Sequence, residues 1–209
     1  MKKVHTDEEL CTLRIVFFGN TFLHCLFASV NLKKCEKKVH VLLLGLDNAG
    51  KSTLLYKMKH DVSVSTVPTI GFNVEMFEGR KNRKSISVTM WDVGGQVRMR
   101  EHWQDFYLNA AAVVYVLDSA DGSRLEEARA ELELILRSEL LRHRPLILLA
   151  NKQDVNGALT VTELKDRIDL SRLCSDRDWF VQPCSASTGF GVQDAFRRVV
   201  QMLISKQSH

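Results

Sequence analysis

Short apolar runs alternate with amphipathic stretches along most of this chain, and the alternation predicts buried strands separated by helices. Four apolar runs predict strands of a sheet covered on both faces: 39–44, 111–117, 146–150 and 180–184. Two segments of alternating apolar and polar positions, 71–77 and 85–91, predict an antiparallel hairpin. The whole pattern predicts an α/β fold with a mostly parallel six-stranded sheet, one antiparallel edge strand and helices on both faces.

Helices between the strands are predicted from caps and apolar stripes. Ser123 and Thr160 are each followed three residues later by a glutamate, which is the pattern of a capping box. The first box predicts a helix over residues 123–137. Its apolar stripe is formed by Leu125, Ala128, Leu132 and Ile135. A further helix is predicted to start at Ser52, and a closing amphipathic helix over residues 192–204.

Composition and charge narrow the functional classes. The 209 residues are 45% hydrophobic, which suits one domain with a core, and we assign residues 39–206 to it, preceded by an extension over 1–38. The net charge is +4, and residues 1–40 hold seven basic and four acidic groups, so 7 − 4 = +3 belongs to the N-terminal segment. We therefore expect no nucleic-acid partner. Five scattered cysteines without a C-x-x-C pair indicate neither a disulfide framework nor a zinc site.

The stretch from Gly45 to Ser52 fits the phosphate-loop pattern G-x-x-x-x-G-K-[ST] and lies between a predicted strand and a predicted helix. In that setting, backbone N–H groups and the positive end of the helix bind phosphate oxygens. Lys51 is predicted to reach the β- and γ-phosphates as a catalytic residue, and the Ser52 hydroxyl to bind Mg²⁺. The predicted nucleotide-binding residues here are Gly45, Asp47, Asn48, Ala49, Gly50, Lys51, Ser52 and Thr53.

A second group of residues, around the end of another predicted strand, suits the γ-phosphate and the metal. Asp92 can hold Mg²⁺ through water, and the Gly95 amide can approach the γ-phosphate because no side chain blocks it. The Gln96 side chain both accepts and donates hydrogen bonds, so it can position a water for in-line attack as a catalytic residue. Thr69, in the loop before the hairpin, can complete the Mg²⁺ shell with its hydroxyl.

A third group predicts recognition of guanine. The Asp154 carboxylate can accept from guanine N1–H and N2–H₂ together, whereas adenine would leave the charge unpaired at a cost of about 1–3 kcal/mol or more. The Lys152 stem can cover the face of the base, and Asn151 can brace the phosphate loop. A backbone N–H at Ser185 or Ala186, after the last predicted strand, can meet guanine O6.

Taken together, these motifs resemble the small GTPases, and within them the ADP-ribosylation-factor-like branch, over residues 39–204. The stretches that carry the resemblance are 45–52, 68–75, 91–96 and 151–154. It implies a monomer that binds GTP or GDP with Mg²⁺ and works with an exchange factor, a GTPase-activating protein and effectors. It also implies that the hairpin shifts register with the nucleotide, and that effectors contact Phe72, Trp91 and Phe106, for which plain core packing is the alternative.

Several positions depart from the family pattern. Phe106 stands where the family usually has tyrosine, and the hairpin tip over residues 80–84 is longer than usual. No arginine is evident in cis to neutralise the transition state, so we expect slow intrinsic hydrolysis. The chain starts with Met1-Lys2 rather than Met-Gly, so N-terminal myristoylation is excluded for the sequence as written.

Three interpretations of the N-terminal extension stay open. Residues 19–32 suit an amphipathic helix with a basic tail on an anionic membrane. Residues 13–32 are long enough to span a bilayer, although they include Arg14, Asn20, His24 and Asn31. The third interpretation is a disordered extension.

Two functions follow from the resemblance. The first is a GTP-binding switch with slow hydrolysis and GTP-dependent effector binding, cytoplasmic with reversible association to a membrane surface, in membrane traffic or cytoskeletal and organelle signalling. The second is a membrane-anchored GTP-binding receptor subunit resembling the signal-recognition-particle receptor β-subunit.

Overall fold

The computed structural model describes residues 13–15, 38–62, 66–81 and 84–205, and these form one mixed sheet with helices on both faces. The strands are β1 Leu13–Ile15, β2 Lys38–Leu44, β3 Phe72–Lys81, β4 Lys84–Val93, β5 Ala110–Asp118, β6 Leu146–Asn151 and β7 Trp179–Pro183. Their order across the sheet is β1-β3-β4-β2-β5-β6-β7. The pairs from β4 to β7 are parallel, while β1–β3 and β3–β4 are antiparallel.

The six predicted strands and the mixed sheet are confirmed, and β1 is an addition at the edge beyond β3. Its three residues are too few to show a period-2 pattern, so the sequence did not reveal it. They are also the first three residues of the segment 13–32 that we considered as a membrane span. The rest of that segment, like the proposed helix over 19–32, lies outside the described residues.

Six α-helices and three short 3₁₀ turns connect the strands in the described ranges. The helices are α1 Lys51–His60, α2 Val97–Arg100, α3 Leu125–Leu136, α4 Val161–Ile168, α5 Leu170–Leu173 and α6 Val192–Ser205. The 3₁₀ turns are Trp103–Phe106, Gly122–Arg124 and Glu139–Leu141. Among the helices of the described part, none is long and apolar enough to cross a bilayer.

The start of α3 differs from the prediction. The helix begins at Leu125 rather than Ser123, because residues Gly122–Arg124 form a 3₁₀ turn that Asp121 caps: its carboxylate accepts from the Arg124 N–H and the Ser123 hydroxyl. The second predicted capping box is confirmed. The Thr160 hydroxyl accepts from the Glu163 N–H, and the Glu163 carboxylate accepts from the Thr160 N–H.

Strand β5 separates two hydrophobic cores. Every second residue, such as Val113 and Tyr115, joins a cluster with α3 and α4, while Val114 and Val116 join one with α1 and α6. The buried Tyr115 hydroxyl donates to the Ala128 carbonyl at 2.8 Å, so it is not left unpaired in the core. Strands that bury both faces explain the continuous apolar runs in the sequence.

The hairpin between β3 and β4 is longer than predicted and passes close to α6. Its ladder extends to the pair Lys81–Lys84, so most of the segment expected as a loop is strand. At Gly79 a Cβ atom would lie 2.5 Å from Val200 Cγ2, far inside contact distance. The ring of Phe77, two residues earlier on the same face, lies 4.9 Å from that of Phe196.

Candidate functional site

A cavity of about 320 Å³ opens at the carboxyl ends of the parallel strands, where ligands bind in open α/β sheets. Most residues predicted to bind nucleotide line it: Asp47, Asn48, Gly50, Lys51, Ser52, Thr53, Thr69, Gly95, Gln96, Asn151, Lys152, Asp154 and Ala186. The cavity is also lined by Pro68 and by four residues that the sequence did not single out, namely Thr66, Val67, Val155 and Ser187. Segments far apart in the sequence therefore meet at one edge of the sheet.

The phosphate loop has the shape that its two glycines permit. Gly45 has φ +141°, and a Cβ there would lie 2.3 Å from the Val116 carbonyl oxygen. Gly50 has φ +91° and caps α1, so the first N–H groups of that helix face the cavity. The loop therefore places helix N–H groups where an anion can bind them.

Lys51 is the buried cation of the loop. Its Nζ donates to the carbonyls of Gly45 and Leu46, both at 2.9 Å. Burial lowers the pKa of Lys51, and the nearby Asp92 and Asp47 oppose that shift. A bound phosphate would favour the charged amine in the same way as these carboxylates.

Three oxygen side chains predicted to hold the metal converge beside Lys51. The hydroxyls of Ser52 and Thr69 lie 2.9 Å apart, and the Ser52 hydroxyl donates to Asp92 Oδ2 at 2.5 Å. Asn73 Nδ2 also donates to Asp92 Oδ2, at 3.0 Å. Asp92 is fully buried, and its Oδ1 has no hydrogen-bond partner among the described residues. Burial raises the pKa of Asp92, partly opposed by Lys51. A set of hard oxygen donors with one unpartnered carboxylate oxygen fits Mg²⁺.

The segment after β4 lies directly against the phosphate loop. A Cβ at Gly95 would lie 2.3 Å from the Gly45 carbonyl oxygen, so only glycine allows this approach. The Gly95 carbonyl accepts from the Asp47 N–H at 3.1 Å. Gln96 follows at the start of α2, and its Oε1 is buried without a hydrogen-bond partner in the described part of the chain.

Two arginines that the sequence analysis did not single out reach the phosphate loop. Asp47 Oδ1 accepts from Arg100 Nη2 at 3.2 Å and from Arg124 Nη1 at 3.3 Å. Both arginines come from segments distant in sequence from the loop, so spacing alone could not reveal them. They are engaged in ion pairs with the protein's own carboxylates.

The base-reading segment is tied to the phosphate loop and to the sheet. Asn151 Nδ2 donates to the Ala49 carbonyl at 2.8 Å, which is the brace predicted from the sequence. Lys152 has φ +64°, and its Nζ lies 2.7 Å from Asp118 Oδ2 at the end of β5. The exposed Asp154 lies at the wall of the cavity. The segment thus places the Asp154 carboxylate near Lys152, whose amine is held by Asp118.

The backbone N–H groups of Ser185 and Ala186, predicted to meet guanine O6, both donate to acceptors within the protein. The Ser185 N–H donates to the Phe190 carbonyl at 2.9 Å, and the Ser185 hydroxyl accepts from the Thr188 N–H at 3.0 Å, so both groups close a turn. The Ala186 N–H donates to Asn151 Oδ1 at 3.0 Å. Ser187, the next residue, lines the cavity, whereas Ser185 is buried behind it.

The three aromatic residues predicted as an effector surface do meet. Phe72 lies 5.1 Å from Trp91 and 5.4 Å from Phe106 between ring centroids. Phe72 is only 4% exposed and belongs to the core, whereas Trp91 and Phe106 are partly exposed. Trp91 Nε1 also donates to His40 Nδ1 at 3.1 Å. Core packing accounts for Phe72, so a partner could contact mainly the other two rings.

The strand-to-helix phosphate loop and the guanine-reading motif after β6 define the class of small GTP-binding proteins with a P-loop fold. Comparison with known proteins gives the family. The sequence model of the ADP-ribosylation factor family matches residues 25–203, and the chain belongs to that family of small GTPases. Membership implies that it binds guanine nucleotide and hydrolyses GTP.

Individual relatives agree with this family. The chain is 47% identical to ADP-ribosylation factor-like protein 14 of Mus musculus, over 81% of this chain and 88% of that protein. It is 42% identical to ADP-ribosylation factor J of Dictyostelium discoideum, over 95% and 99% respectively. A solved structure of the small GTPase Arl6 (BBS3) from Trypanosoma brucei with the bound nucleotide analogue GppNp matches with a TM-score of 0.71 and 33% identity, covering 81% of this chain and 99% of that one.

Proposed function

We propose that this protein is a GTP/GDP switch with slow intrinsic hydrolysis, whose output is GTP-dependent binding of effectors. The observation that carries the proposal is that the phosphate loop, Thr69 and Asp154 line one cavity, with the buried Asp92 hydrogen-bonded to Ser52 beside it. A carboxylate that faces the base favours guanine over adenine, because it can accept from guanine N1–H and N2–H₂.

We assign the following roles at the site. Lys51 and the N-terminus of α1 bind the phosphates, and Gly95 contributes its N–H to the γ-phosphate. Ser52, Thr69 and, through water, Asp92 hold Mg²⁺, which when bound neutralises negative charge on the phosphates. Gln96 orients the attacking water. The remaining assigned nucleotide contacts are Gly45, Asp47, Asn48, Ala49, Gly50, Thr53, Asn151, Lys152, Asp154 and Ala186.

The proposed switch also has partners and a location. Slow turnover requires an exchange factor and a GTPase-activating protein. The partly exposed rings of Trp91 and Phe106 supply aromatic surface for effectors. We propose residues 39–206 as the GTPase domain and residues 1–38 as an extension that contacts a membrane surface reversibly. The basic excess within residues 1–40 supports that contact, because anionic lipids attract it. The cellular setting that we propose is membrane traffic or cytoskeletal and organelle signalling.

Calorimetry tests the proposed ligand. We expect GDP and GTP to bind the full chain in magnesium buffer at least about 10³-fold more tightly than ATP, because the Asp154 carboxylate lacks donors from adenine. The measurement is titration of nucleotide-free protein with each nucleotide. Tight ATP binding without heat from GDP or GTP would disprove the assignment.

The proposed metal site can be tested with Asp92→Asn. We expect the variant to release a fluorescent GDP analogue about tenfold faster in magnesium buffer, because a neutral amide replaces the buried carboxylate that holds the metal's water ligands. Chelation with EDTA should accelerate release from the wild type but add little for the variant. Since burial raises the pKa of Asp92, protons should also compete with Mg²⁺ for its carboxylate, and added Mg²⁺ should slow release from the wild type less as the pH is lowered.

Asp61→Asn is the matched control, since the Asp61 side chain is 84% exposed just beyond α1. It should release the analogue like the wild type with and without EDTA. An Asp92→Asn protein that keeps the full EDTA response would remove Asp92 from the metal site.

A further inference from the structure

One guanidinium joins three parts of the protein beside the nucleotide cavity. Arg100 is the last residue of α2, and its side chain is only 7% exposed. Its Nε donates to the Gly95 carbonyl at 2.7 Å, and its Nη2 donates to Asp47 Oδ1 at 3.2 Å. Its Nη1 donates to Glu127 Oε1 at 2.7 Å and to Glu131 Oε1 at 3.2 Å. Arg100 therefore connects the segment after β4 to the phosphate loop and to α3.

These contacts fix the peptide group between Gly95 and Gln96. The Gly95 carbonyl accepts from two directions, from Arg100 Nε and from the Asp47 N–H. Because a peptide group is planar, the two bonds together set the direction in which the chain continues into Gln96. The side chain that we assign to the attacking water thus starts from a peptide that Arg100 holds.

Arg100 also offsets a concentration of negative charge. Without it, the nearby cations in the described part of the chain would be Arg124, beside Asp47 and Glu127, and the buried Lys51, whose charge also acts on Asp47. Arg124 is 30% exposed and is shared with Asp121, so it compensates only in part. Uncompensated carboxylates beside a phosphate site repel a bound nucleotide, and they repel a triphosphate more than a diphosphate because it carries more charge.

We propose that Arg100 is a positioning residue that holds Gly95 and Gln96 closed on the phosphate loop and thereby favours GTP over GDP and supports hydrolysis. The proposal rests on the GTP-switch function proposed above. Four of the five N–H donors of Arg100 are engaged by the protein, so it acts through Gly95 and Gln96 and not by contacting the transferred phosphoryl group. This distinguishes it from an arginine supplied to the transition state.

The test compares Arg100→Gln with Arg98→Gln. Arg98 lies on the same helix but is exposed, so its replacement removes the same charge without the same contacts. Dissociation of a fluorescent, non-hydrolysable GTP analogue and of a fluorescent GDP analogue is measured for each protein, together with single-turnover GTP hydrolysis. We expect Arg100→Gln to release the GTP analogue about tenfold faster, to release the GDP analogue less than about threefold faster, and to hydrolyse GTP about tenfold more slowly. Arg98→Gln should match the wild type.

A further variant keeps the inference testable if Arg100→Gln folds poorly. Arg100→Lys keeps the charge but not the fork of donors, so it should be intermediate. Equal acceleration of both nucleotides, or wild-type behaviour in both Arg100 variants, would overturn the inference while leaving the GTP switch intact. Failure of the wild type to bind either nucleotide would overturn the proposed function itself.

Discussion

Replacing Asp154 with asparagine is expected to weaken GTP and GDP binding by about a hundredfold, because the acceptor loses its charge and one of two hydrogen bonds. An amide offers one acceptor and two donors, so it cannot accept from guanine N1–H and N2–H₂ at the same time. The same amide can donate to the 2-oxo group of xanthine. The variant should therefore bind xanthosine nucleotides better than guanosine nucleotides, the reverse of the wild-type preference.

The measurement is competition of GTP and xanthosine triphosphate against a fluorescent GDP analogue. Asp166→Asn is the matched control, because Asp166 is an exposed aspartate on α4 that does not line the cavity. It should leave both affinities unchanged. If Asp154→Asn kept wild-type affinity for GTP, the proposed reading of the base would be wrong.

Gln96→Leu is expected to keep nucleotide affinity within about threefold but to lower hydrolysis stimulated by an activating protein by about a hundredfold or more. Leucine is similar in size but has no polar atom to orient the attacking water. Gln96 Oε1 is buried without a partner among the described residues, so its loss should cost the folded protein little.

Single-turnover hydrolysis of bound GTP checks this prediction. It is measured first without partners and then with a protein fraction that stimulates hydrolysis by the wild type. The wild type alone should hydrolyse GTP far more slowly than once per second. Stimulation of the variant equal to that of the wild type would remove Gln96 from the mechanism. A wild-type rate of several per second without any partner would contradict the proposed slow switch.

The sequence predicts this fold and cavity wherever the determining contacts are local. The glycines of the phosphate loop, the apolar runs of β2, β5 and β6, and the Thr160 cap depend on neighbours within a few residues, and each lies where its pattern predicts. Asn151 makes a long-range contact that the sequence also predicts, because its motif implies a hydrogen bond to the phosphate loop.

The features that the sequence did not predict depend either on contacts between distant segments or on which of several nearby groups forms a bond. Arg100 and Arg124 meet at Asp47 through tertiary packing, and no spacing in the sequence relates them. Ser185 carries a group of the right kind, but the turn to Phe190 uses it. Asp121 replaces Ser123 as the cap of the turn before α3 because either side chain can accept there, and geometry selects between them.

Gly79 sets the clearance between the hairpin and α6. The family resemblance implies that the hairpin shifts register. A shift of two residues along β2 would place either residue 77 or residue 81 over Val200, where even a methyl group does not fit. Such a register shift therefore requires α6 and the hairpin to move apart. A signal from the nucleotide to β1, which pairs with β3 of the hairpin, would then depend on the position of α6, and the size of residue 200 would determine how easily the hairpin moves.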